Sequence, residues 1–206
     1  MAGQPGKTTL RALKLGVFVL ALSPFLLMVW DTFIGNLGTN PVEELLHRNG
    51  DWGLRLLLVT LAITPLRRLT GANWLVRLRR MLGLYAFFYA CLHLLVFVVF
   101  EHELSLAALW EDILDRPFIL VGFCAFLLLV PLAVTSTKGM MRRLGKRWQR
   151  LHRLVYACGV LALLHMFLLT KSNDYREPLL YTAVFAGLML LRIPAVRQLG
   201  LWQRFR

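Results

Sequence analysis

Six apolar stretches punctuate the chain, near residues 13–31, 51–66, 81–100, 117–134, 151–170 and 178–195. A hydrocarbon core of about 30 Å takes roughly 20 helical residues. Inside it every backbone polar group must be satisfied by the segment itself or by its neighbours. Six such runs in 206 residues leave room for little but a bundle of membrane-spanning helices, read as one domain over 1–206. The second run is short and carries Arg55 near one end, so it needs tilt or a snorkelling side chain to span. The mean hydropathy of +0.61 agrees with this class. The net charge of +13 would suit a nucleic-acid binder, but no polar, soluble domain remains to carry that role.

The positions of the charges give the topology. The N-terminal tail, the 67–80 and 135–150 loops, Arg153 and the tail from Arg192 hold 19 of the 24 Lys and Arg and no acid. The segments 31–55, 101–116 and 171–177 hold all 11 Asp and Glu with the five remaining basic residues. Cytoplasmic loops are enriched in Lys and Arg, so this alternation predicts six spans with both termini in the cytoplasm. The first span follows Lys7, Arg11 and Lys14 as a signal peptide would, but DTFIGNLG after it offers no small-residue cleavage pattern, and the span is read as retained.

The remaining punctuation is sparse. Pro24, Pro65 and Pro131 fall inside or at the ends of spans, where neighbours must satisfy the freed carbonyls. Cys91, Cys124 and Cys158 lie singly inside spans, with no CxxCH attachment motif and no disulfide framework. No GxGxxG or Walker pattern exists to hold a nicotinamide dinucleotide. The outer connection EHELSLAALWEDILDRP reads equally as an amphipathic interfacial helix or as a solvated acidic loop.

Histidines carry the chemistry. His47 and His102 sit among acids in outer segments and read as exposed surface residues. His93, His152 and His165 lie at membrane depth or its edge, where an ionisable group is costly and points to function. His93 is twelve residues past Met81 and His165 fourteen past Leu151, each about 20 Å from the cytoplasmic end. They should lie level, in the outer half, with His152 at the inner edge. Two level imidazoles on neighbouring helices suit a six-coordinate haem, and no span acid lies at that depth to favour zinc or a proton relay. Hydrogen bonding between helices is the alternative role for each of them.

The blocks LGLYAFFYACLH and VTSTKGMMRRLGKRWQRLHRLVY, followed by His165, resemble the MsrQ (formerly YedZ) family of haem-bearing membrane subunits. That family lies within the ferric reductase and NADPH oxidase transmembrane superfamily, and the resemblance covers nearly the whole chain. It implies an all-α membrane protein, a ferric-reductase-like bundle of six helices in the bacterial inner membrane. The superfamily typically places two histidines on helix three and two on helix five around two stacked b-type haems.

Carried onto this sequence, the resemblance implies His93 and His165 as the outer axial pair and His152 as an inner haem ligand. At the place of the fourth histidine stand Arg79 and Arg80, which suit haem propionates better than iron. One or two haem b groups are therefore implied, with FMN as a further family cofactor. Electrons would pass outward from a cytosolic flavin reductase or membrane quinol to a periplasmic molybdenum-containing methionine sulfoxide reductase, MsrP. The chain alone would reduce no sulfoxide. The inner basic band of Arg77, Arg79, Arg80, Arg142, Arg143, Lys146, Arg147 and Arg150 would steer an acidic donor or hold flavin phosphate, and the outer acids would dock the periplasmic subunit. The competing readings are a stand-alone ferric or quinone-linked reductase, and a transporter or assembly protein whose histidines only bond between helices.

Overall fold

A computed structural model describes residues 5–170 and 175–193, and these form helices joined by short turns with no strand among them. Four helices are long and apolar enough to cross a membrane. They are α1 (Lys7–Phe33), α3 (Val76–Val96) with a 3-10 turn before it and a π turn after it, α5 (Pro117–Val134), and the stretch of α7 (Lys146–Leu151) and α8 (Leu154–Leu169). The other two expected spans fall within α2 (Pro41–Thr70) and α9 (Arg176–Leu190). Residues 194 and 195 of the sixth lie outside the described residues. Large side chains such as Leu15, Leu20, Phe33 and Leu179 are more than half exposed. A fold that turns so much apolar surface outward has lipid as its solvent.

The helix that carries the second expected span is longer than the apolar run within it. Asn40 caps α2 through Glu43 N–H, Pro41 occupies its first turn, and Gly71 ends it at φ 69°, with Arg67 and Arg68 in the last turn. Its 30 residues extend for about 45 Å. Arg55 does not snorkel alone. It pairs with Asp51 at 3.0 Å, donates to the Tyr181 hydroxyl on α9 at 2.7 Å and lies over the Trp52 ring.

The α2/α3 hairpin and the antiparallel α5/α8 pair form the centre, joined by contact between α3 and α5. Leu57, Leu61, Leu82, Ala86 and Tyr89 fill the first interface. The α1 helix docks through Tyr89, whose hydroxyl donates to Ala21 O at 2.8 Å and accepts from Phe25 N–H at 3.1 Å. That hydroxyl thus enters the ladder beside Pro24, while the Ser23 hydroxyl donates to Leu20 O, the carbonyl that Pro24 leaves without its usual donor. Pro65 likewise frees Leu61 O, which accepts from Arg192 of the segment after α9 at 2.5 Å.

Between α3 and α5 lies α4 (Leu106–Asp115), capped by Ser105 and bearing Leu106, Trp110 and Leu114 exposed on one face. Of the two readings of this connection, the amphipathic helix is the one adopted. The expected span 151–170 is interrupted at its start. After α6 (Lys138–Leu144) and α7 the chain turns at His152 and Arg153, and α8 begins at Leu154.

Candidate functional site

Equal depth on α3 and α8 brings His93 and His165 together. Their ring centroids lie 6.1 Å apart with planes at 86°. Each imidazole is half-buried and leans on the helix that pairs with its own. His93 Nδ1 lies 2.9 Å from Leu46 O of α2, and His165 Nδ1 lies 2.6 Å from Phe118 O of α5. A carbonyl only accepts, so both Nδ1 atoms carry the proton and donate it. Both Nε2 atoms keep a lone pair, with no hydrogen-bond partner among the described residues.

A metal–imidazole bond takes about 2 Å. Two such bonds plus the two ring radii come close to the separation of 6.1 Å, so there is room for one ion between the rings. The chain adds little to that ligand set: among the described residues no three or more His, Cys, Asp or Glu converge as a metal site. A centre here must bring its own equatorial ligands, as a porphyrin does.

His152 is held differently. The Thr135 hydroxyl donates to Pro131 O at 2.6 Å, so it receives the Nε2–H of His152 at 3.1 Å. The lone pair of this ring is therefore on Nδ1, the reverse of the outer pair. Trp148 stacks on the ring at 3.9 Å and donates its indole N–H to Thr135 O at 2.9 Å. Arg79 is half-buried within electrostatic reach of His152, Arg67 and Arg192, whereas Arg80 is exposed. The two arginines thus do not share one environment.

Of the remaining histidines, His47 is exposed beside Glu43 as expected. His102 is not: its side chain is 8% exposed, 3.3 Å from Asp112 and edge-on to Phe97. The π turn and the positive φ of Glu103 and Leu104 fold it back against α4. Sequence reasoning did not foresee the carbonyls of Leu46 and Phe118. Their signal is spacing alone, since each lies 47 residues before its histidine.

The family model described as "Ferric reductase like transmembrane component" matches residues 49–164, which contain two of the three membrane histidines, His93 and His152, and stop one residue before His165. The relative from Herminiimonas arsenicoxydans named "Protein-methionine-sulfoxide reductase heme-binding subunit MsrQ" is 48% identical over 94% of this chain and 89% of its own length. Proteins of the same name from Ralstonia nicotianae and Xanthomonas axonopodis pv. citri are 51% and 50% identical, each over 90% of this chain and 86% and 88% of their own. The chain belongs to the MsrQ family. No solved structure matches it. In this MsrQ-family chain the matched region runs from Asn49 within α2 to the residue before His165 within α8, so it takes in all of α3 and α5 and most of their partners α2 and α8.

Proposed function

We propose that the chain is the haem-binding, electron-carrying subunit of a methionine sulfoxide reductase system. The relatives' printed names support the haem and the system. One observation carries the site assignment: two half-buried imidazoles 6.1 Å apart, both protonated on Nδ1 and both with a free Nε2. His93 and His165 would hold the outer haem b between them, and the group when bound would supply a one-electron carrier inside the bilayer. Donation from each Nδ1 to a backbone carbonyl fixes ring orientation and raises the basicity of the ligating nitrogen.

In this reading six spans place both termini in the cytoplasm and the acidic end outside, in the bacterial inner membrane. Electrons enter at the basic end from a cytosolic flavin reductase or a quinol, with FMN held there if it binds. They leave at the histidine pair for the periplasmic molybdenum subunit MsrP. His152 would hold a second, inner haem, and Arg79, within electrostatic reach of that ring, would meet its propionates.

Purified from haem-replete cells, the full chain should show a Soret band that shifts on dithionite reduction. His93→Ala and His165→Ala should each abolish the outer low-spin signal in electron paramagnetic resonance. A chain without haem, or either variant keeping that signal, removes the assignment.

A further inference from the structure

Both histidines donate to carbonyls that lie inside helices, and such a carbonyl already takes the N–H of the residue four positions later. In α2 and α5 that later residue is Gly50 and Gly122. A helical side chain leans back over the turn N-terminal to its own Cα, so the side chain at this position is the one that would cover the carbonyl. Glycine leaves the second lone pair of Leu46 O and Phe118 O open to a donor arriving from the side.

The space is used. A Cβ on Gly50 would meet His93 Nδ1 at 3.3 Å and Cε1 at 3.5 Å. One on Gly122 would meet His165 Nδ1 at 2.7 Å, Cε1 at 2.9 Å and Cγ at 3.2 Å. Other helical glycines face something else: Gly83 meets Thr60 at 3.6 Å, Gly159 meets the Phe185 ring at 2.5 Å, and Gly16 and Gly187 meet nothing within 4 Å. The arrangement of carbonyl, glycine and histidine occurs twice with the same 47-residue separation. Yet the two halves are connected differently, α2 to α3 by one short turn and α5 to α8 through two short helices. Packing chance would not deliver the same three parts in both.

We propose that Gly50 and Gly122 are positioning residues for the two imidazoles. Each opens a notch through which a helix carbonyl holds the proton on Nδ1 and turns Nε2 toward the shared centre. The haem consequence rests on the reading of the preceding section; the choice of tautomer does not.

The test has two readouts on the full-length chain in detergent. In the haem-bound protein, Gly122→Ala should lose the outer low-spin signal or convert it to high spin, because the ring must leave its carbonyl. Gly50→Ala needs a smaller movement and should shift that signal, with a higher midpoint potential as the ligand loses basicity. Gly159→Ala also overfills its site, against Phe185, and should lower thermal stability while leaving the outer signal as in wild type. The proposal is overturned if Gly122→Ala and Gly50→Ala keep the wild-type signal, or if Gly159→Ala changes it in the same way. In haem-free protein labelled with 15N-histidine, His93 and His165 should carry the proton on Nδ1 and His152 on Nε2. Finding Nε2–H on the outer pair overturns the notch even if Gly122→Ala fails to fold. If haem is absent or His93→Ala keeps the signal, the haem reading fails, and this second readout still decides the role of the glycines.

Discussion

Hydroxyl groups at membrane depth do much of the joining in this chain, and Tyr89 shows why. Its ring is fully buried while its oxygen serves both a carbonyl and an N–H of α1. Removing the hydroxyl deletes both hydrogen bonds that tie α1 to α3 in the interior, a loss of about 1–3 kcal/mol. Tyr89→Phe should therefore lower the midpoint of thermal unfolding in detergent, and leave the outer haem spectrum unchanged because the His93 ring is held by Leu46 instead. A Tyr89→Phe variant as stable as wild type would mean that α1 is held by its apolar face alone. The Thr135 hydroxyl plays a similar part at the opposite end, where it fixes the protonation of His152 by having already spent its own proton on Pro131 O.

Among the elements, α2 departs most from expectation, and proline explains how it stays continuous. An interior proline removes one helix hydrogen bond and costs roughly 3 kcal/mol in an ordinary helix. Here the bared Leu61 carbonyl is taken by Arg192, which also donates to the Tyr156 hydroxyl at 2.6 Å. The two substitutions should be coupled. Arg192→Met should destabilise the wild-type chain by about 1–3 kcal/mol. It should cost clearly less in a Pro65→Ala background, where residue 65 recovers its own N–H. Equal losses in both backgrounds, measured as a double-mutant cycle, would show that Arg192 acts through something other than that carbonyl.

On the scale of the whole molecule, the hairpins put opposite charge at opposite ends. The turn between α2 and α3 and the α6–α7 connection share the end that carries the basic loops, and the His93–His165 pair lies toward the other. Single cysteines in a cysteine-free background report the orientation. Gly139→Cys, in the basic connection, should be blocked by a membrane-impermeant maleimide only after the cytoplasmic side is opened. Leu104→Cys, exposed before α4, should react in intact spheroplasts. The reverse pattern would invert the proposed direction of electron flow.

The membrane class, the all-helical fold and the shared depth of His93 and His165 follow from the sequence by itself. Lipid demands long apolar runs, charge bias marks the loops, and a helix converts residue number into height. Height is not orientation. Whether an imidazole meets its neighbour or a carbonyl, and which nitrogen keeps the lone pair, depends on helix rotation and on atoms from distant segments. So Leu46 and Phe118 became visible only once α2 lay against α3 and α5 against α8. The same holds for Arg55, which looks like an obstacle in its own span until Tyr181 of α9 stands beside it. It holds for His152 too, whose protonation is set by a threonine 17 residues earlier and on another helix end. Tertiary packing decided these points because in an apolar medium each polar atom takes whichever partner the neighbouring helix happens to present.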